Sequence, residues 1–246
     1  MVKRGIFVGI VVGAFLVSGE GAAQGGRPSA RAAARPAQPD VRLVGPPTWW
    51  IVPFREGNTE EGKLYFGATV ENRSDMAASV GLSFQSYTPE GTRFEGCYEM
   101  GGGGPGVYVE VAPRERAFLV CNRSIVPVSR TGLQVTTRLW DLRPVASEPT
   151  RAAAVETGIR VAEEYLDAIA YDGFARVRSL SGRDVEVSAL LRFYAEDGTQ
   201  VATCESRDVT IEPEVVQRVT CADPVLIVPG VPRPERVRAE LRPARW

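Results

Sequence analysis

The sequence predicts an all-β protein built as two tandem β-sandwich domains related by an internal repeat, each with one disulfide. Three observations lead there. The chain aligns with itself at a fixed offset, apolar residues alternate with period two between turn residues, and its four cysteines fall two to each copy. A repeat of domain length decides architecture before any single element does.

An offset of 107 residues aligns Ala68 with Ala175, Val70 with Val177, Ser74 with Ser181 and Val80 with Val187. The same offset aligns Tyr87 with Tyr194, Gly91-Thr92 with Gly198-Thr199, and Cys97 with Cys204. It falls to 100 at Pro113/Pro213 and Cys121/Cys221. It settles at 102 for Ile125-Val126-Pro127 against Ile227-Val228-Pro229 and for Leu139 against Leu241. Valines, turn glycines, prolines and cysteines shape a chain rather than perform chemistry. The expected domains are 41–146 and 147–246.

Residues 1–23 read as a secretory signal. Met1-Val2-Lys3-Arg4 is a basic start, Gly5 to Gly19 is uncharged, and Gly21-Ala22-Ala23 offers small residues for cleavage. The alternative is an uncleaved anchor, which the glycines at 5, 9, 13 and 19 weaken. The chain is therefore expected to be exported, to the periplasm, cell envelope or medium, without membrane insertion after cleavage. Residues 24–40 are rich in Ala, Gly, Pro and Arg, with no apolar period, and read as a disordered linker.

In the first copy, Leu64–Val70 reads as a strand ending at the turn composition Asn72-Arg73-Ser74-Asp75. Val80, Leu82 and Phe84 then alternate with Gly81, Ser83 and Gln85, and Pro89-Glu90-Gly91 closes that strand. Val107–Val111, Ala117–Cys121 and Leu133–Leu139 complete the copy. In the second, Val185, Val187 and Ala189 alternate and Glu196-Asp197-Gly198 supplies the turn. Arg151 to Leu166 has an Ala-rich start that tempts a helix, but Thr157-Gly158 interrupts it, so a short linker entering a strand is expected. Short strands between regular turns indicate sandwiches.

Export permits disulfides, and four cysteines allow three pairings. The repeat selects Cys97 with Cys121 and Cys204 with Cys221. No CxxC occurs and the chain has no histidine, so no metal site or cofactor is expected.

The same residues resemble FxLYD-type families, small bacterial β-sandwiches of immunoglobulin-like topology. The resemblance rests on Val70–Ser74, Phe84–Gly91 and Val111–Glu115 in the first copy. In the second it rests on Val177–Ser181, Phe193–Gly198 and Ile211–Glu214. Thr88 and Ala195 stand where an acidic residue is usual, and the cysteine pairs are additional. The resemblance implies an accessory or binding module of the cell envelope.

The chemistry points the same way. Without histidine, Ser-His-Asp and Cys-His nucleophile systems are excluded. Glu163, Glu164, Asp167 and Asp172 form the densest acidic cluster, but Glu163 and Glu164 are neighbours whose side chains diverge on a strand. With 29 basic and 30 acidic residues mixed along the chain, no basic block suggests nucleic acid. Asn72-Arg73-Ser74 and Asn122-Arg123-Ser124 match a glycosylation pattern that is common by chance. The sequence thus predicts a non-enzymatic module whose partner is another envelope or secreted protein. A second reading is a glycan- or small-ligand-binding sandwich. Its candidate surface is Trp49, Trp50 and the glycine loop Gly101, Gly102, Gly103, Gly104 and Gly106, an insertion that the second copy lacks.

Overall fold

A computed structural model describes residues 38–246 apart from 55–59, 98–106, 147, 166–167 and 245–246. The signal, most of the linker and the whole glycine loop lie outside the described residues. So do Asp167 and Trp246.

The described chain is all-β, with fifteen strands and no helix. The first seven are β1 (Val41–Pro53), β2 (Glu61–Asn72), β3 (Ala77–Tyr87), β4 (Arg93–Cys97), β5 (Val107–Val111), β6 (Arg116–Pro127) and β7 (Gln134–Val145). They are followed by β8 (Ala152–Glu164), β9 (Ile169–Ser179), β10 (Val185–Tyr194), β11 (Gln200–Glu205) and β12 (Val209–Ile211). The last are β13 (Val216–Thr220), β14 (Val225–Ile227) and β15 (Arg236–Pro243). The Ala-rich segment after Arg151 is thus a thirteen-residue strand from its second residue, not a linker. Pairing with β9 along its length supplies the order that its exposed side chains do not.

β1 and β6 flank β2, and β4, β5 and β7 flank β3. In the second half β8 and β13–β14 flank β9, and β11, β12 and β15 flank β10. Registers correspond at the offsets read from the sequence. Phe84 pairs Cys97 as Leu191 pairs Cys204. Ala78 pairs Val111 as Val185 pairs Ile211. Val70 pairs Ala117 as Val177 pairs Gln217.

Alternation explains the cores, because one side of each strand faces the opposing sheet. Leu64, Phe66, Ala68, Val70, Val80, Leu82 and Phe84 fill the first core with Leu119 and Val126. Tyr171, Ala175, Val177, Val187, Leu191, Phe193, Ile211 and Val219 fill the second. Cys97–Cys121 bridges two sheets in the first half, and Cys204–Cys221 does so in the second. Their Cα separations of 6.3 and 5.6 Å lie in the ordinary disulfide range. Two disulfides fit an oxidising compartment. No helix among the described residues is long and apolar enough to cross a membrane.

Turn chemistry corresponds as well. Gly91 and Gly198 sit at φ +82° and +86°, each donating its N–H three residues back, to Thr88 and Ala195. Side chains other than glycine rarely adopt that conformation. Asn72 is fully buried and donates to the carbonyls of Met76, Val111 and Ala112 while accepting from Ser74. This half of the glycosylation pattern is therefore a structural clamp.

One pairing crosses the midpoint. Gln200 of β11 pairs in parallel with Ala117 of β6, joining β1-β2-β6 to β11-β10 with β12 and β15 in a seven-stranded sheet. Residues from 37 onward form one compact unit.

Candidate functional site

A dense polar arrangement lies where residues of the first half meet the outer side of β10. Even-numbered residues of β10 point away from the second core, so Leu190, Arg192 and Tyr194 would be solvated on an isolated domain. Instead all three are buried. The covering segment is β5, the turn after it and β6.

Arg192 is the centre, with only 5% of its side chain exposed. It donates to Glu110 Oε1 at 2.6 Å and to Glu240 Oε2 at 2.5 Å. Arg242 donates to the same Glu110 oxygen and, at 3.1 Å, to Glu240. Two carboxylates thus bridge two guanidiniums, with one carboxylate supplied by the first half. Burial works to raise the Glu240 pKa, but the hydrogen bond and charge of Arg192, with Arg242 behind it, hold it below the usual carboxylate range. For Arg242 burial works to lower the pKa, and the charges of Glu110 and Glu240 override it.

A second cluster lies beside it. The Tyr194 hydroxyl donates to Glu115 at 2.5 Å, and Arg238 donates to the other oxygen of that carboxylate at 2.6 Å. Arg238 and Arg236 also lie over the Tyr194 ring, 5.0 and 5.8 Å from its centroid. Burial, reinforced by the Glu115 hydrogen bond, pushes the Tyr194 phenol well above its ordinary range. Gln200, buried beside these groups, donates to the Glu110 carbonyl at 3.0 Å. Buried ions of this kind are costly to unpair, because the remaining charge has no water to replace its partner.

Trp49 and Trp50 separate as adjacent strand residues must. Trp49 packs against the first core. Trp50 lies on the outer face, stacked with Tyr65 at 5.7 Å and Phe118 at 6.5 Å. Its indole N–H donates at 2.6 Å to the Pro229 carbonyl of the second half. Gly230 has φ +91°, and a Cβ there would stand 2.7 Å from Trp50 Nε1. Trp50 therefore packs between the halves, and its ring and N–H are engaged within the chain.

Of the acidic cluster read from the sequence, Asp172 and Glu163 each have a partner of their own, and Asp167 lies outside the described residues. Asp172 is held by Arg160 at 2.7 and 3.0 Å, and Glu163 accepts from the Tyr165 hydroxyl at 2.6 Å. Among the described residues, no group of three or more His, Cys, Asp or Glu is placed to hold a metal ion. An open cleft of about 420 Å³ is lined by Ala195, Glu196, Asp197, Pro232, Arg233 and Glu235.

The exposed surface differs in kind. β4 and β13 each pair one strand, so each has an unpaired edge among the described residues. Val215, Val216 and Leu226 are exposed along the β13–β14 side, at 44, 42 and 61%.

No protein family and no curated protein matches this chain. Among solved structures it is similar to Bacteroides uniformis β-glucuronidase 2 covalently bound to cyclophellitol-6-carboxylate aziridine. That likeness has 12% identity and a TM-score of 0.28, covering 84% of this chain and 31% of the other. It is also similar to a GH2 β-galacturonidase from Eisenbergiella tayi bound to glycerol, at 9% identity and TM-score 0.24, covering 82% and 43%. The chain spans less than half the length of either protein, and likeness at these scores assigns no activity.

Proposed function

We propose that this is an exported, non-enzymatic protein-interaction module made of two tandem immunoglobulin-like sandwiches, possessing the resemblance to FxLYD-type domains described above. It acts through protein surfaces, and its partner is another envelope or secreted protein. The observation that carries this reading is an exposed, unpaired strand edge bearing apolar side chains on a body whose two halves are docked together. An unpaired edge offers backbone donors and acceptors to an added strand, and neighbouring apolar groups supply specificity. Rigid docking of the halves keeps that edge in place, so less ordering entropy opposes binding.

The test is cross-linking in the host envelope with a photoreactive group at position 226, compared with one at Arg178 on β9. The reading expects a discrete protein adduct from position 226 that Val216→Asp removes. Equal or absent labelling at both positions would contradict it.

A further inference from the structure

We infer that the free edge of β13 takes up an extended segment bearing a carboxylate, which Arg207 and Arg218 hold. The inference rests on the edge-strand reading above and deepens it by naming the chemistry of the partner. The Cys221 N–H donates to the Gly173 carbonyl at 3.2 Å. Hydrogen-bonded pairs alternate along antiparallel strands, so Val219 and Gln217 also bond β9. Val216, Arg218 and Thr220 then turn their N–H and C=O groups to the free edge. The same three side chains point outward, because Val219 between them is buried in the second core. Backbone and side-chain recognition therefore meet on one row.

Beside that edge is a cleft of about 350 Å³ whose walls include Arg207, Val209, Arg218, Thr220 and Cys221, with no carboxylate among the described residues that line it. Both arginines are exposed, and among the described residues neither is in an ion pair. Neighbouring guanidiniums differ: Arg160 is held by Asp172 and Arg176 by Glu156. Arg218 is held in another way. Its guanidinium lies 4.0 Å over the Phe174 ring. That ring lies across Gly158 of β8, where a Cβ would stand 2.4 Å from it. A guanidinium stacked on a ring keeps its in-plane N–H groups free for a carboxylate. The Cys204–Cys221 bridge, and the bond from the Ala222 N–H to the Glu205 carbonyl, tie the chain just past β13 to β11. Glu212, Glu214 and Asp223 are exposed at the two ends of β13 and do not line the cleft. They fix where the acid of the partner belongs: opposite Arg218, not opposite Val216, which calls for an apolar residue.

The probe is the fluorescently labelled peptide Ser-Thr-Thr-Glu-Thr-Val-Thr, acetylated and amidated, with its Gln analogue and a form N-methylated at Glu. In antiparallel register its Glu falls opposite Arg218 and its Val opposite Val216. Fluorescence anisotropy against the full chain reads the affinity. The Glu peptide should bind about tenfold more tightly than the Gln peptide, the effect of a charge-assisted hydrogen bond. That preference should vanish in Arg218→Gln and in Arg207→Gln. Arg207→Gln lies outside the Phe174 stack, so it keeps the test open if Arg218→Gln loosens that ring. Arg233→Gln, at an exposed arginine that does not line this cleft, should change nothing. N-methylation should abolish binding, because the Glu N–H is the donor to the Arg218 carbonyl. Absent binding, equal affinity for the two peptides, or an N-methylated peptide that binds as well, as a plain anion site would allow, would overturn the inference. If the position-226 adduct survives undiminished in the Arg207→Gln, Arg218→Gln double variant, the acidic partner falls while the interaction reading stands. No adduct from the wild type removes the reading itself.

Discussion

The outer face of β10 and the outer face of β3 have corresponding strand registers and opposite fates. On β10, Leu190, Arg192 and Tyr194 are buried, the last two against Glu110 and Glu115 of the first half. On β3 the equivalent Ser83, Gln85 and Tyr87 stay partly exposed. Backbone register corresponds in both, so pairing does not make the difference. The side chains do: Arg192 opposite Glu110 and Tyr194 opposite Glu115 turn a strand face into an internal interface. A few charged and phenolic side chains on one outward row thus tie the two halves together.

The comparison can be broken most severely at its charged centre. Glu110→Ala leaves Arg192 and Arg242 sharing Glu240, and should cost about 3 kcal/mol in chemical denaturation, since a buried pair loses one partner. Replacing Cys204 and Cys221 together by alanine should cost a similar amount, about 3 kcal/mol by the loop-closure argument, as should the Cys97 and Cys121 pair. The Glu110 change alone should act on the relation between halves; removing a disulfide should loosen only its own half.

Trp50→Ala removes the stack on Tyr65 and Phe118 and the bond to Pro229, and should cost about 2 kcal/mol because the ring is only partly buried. Gly230→Ala should cost about 1 kcal/mol, through its positive φ and the approach to the indole. Tyr194→Phe and Tyr87→Phe form the most direct matched pair. The first leaves the inner Glu115 oxygen without its phenol donor and should cost about 1 kcal/mol; the second should be near neutral.

Acidity probes the same interface more gently. Glu240 has a lowered pKa in the folded chain, so its contribution is fully present above its ordinary value of 4.5 and fades as pH falls through the lower folded value. Tyr194 has a raised pKa, so its contribution is present below 10.0 and is lost as pH rises above that. Midpoints of urea unfolding against pH should fall at both ends. In Tyr194→Phe the alkaline fall should shrink.

Much of the scaffold was legible in the sequence because it is written in local rules. Alternating Val80, Leu82 and Phe84 and the Gly91 and Gly198 turns each state their own structure, while the cysteine pairing was read from matched positions in the aligned halves. Ala152 to Glu164 was less legible, because alanines and glutamates carry no period-two signal and only pairing with β9 extends them. The network around Arg192 was missed for a different reason. Charges on a strand read as solvated, and Glu110 lies 82 residues from Arg192, so nothing local links them. One signal was available: the repeat places Arg192 at the position of the neutral Gln85, within an otherwise apolar run. Trp50 stood in the sequence as part of a candidate binding surface, and nothing local pointed to its acceptor 179 residues away.

Differential scanning calorimetry of wild type beside the double variant Glu110→Gln, Glu115→Gln tests the docking of the halves most directly. The account predicts one wild-type transition whose calorimetric and van't Hoff enthalpies agree, and two separable transitions in the variant. Two independent transitions in the wild type, or an unchanged single transition in the variant, would contradict it.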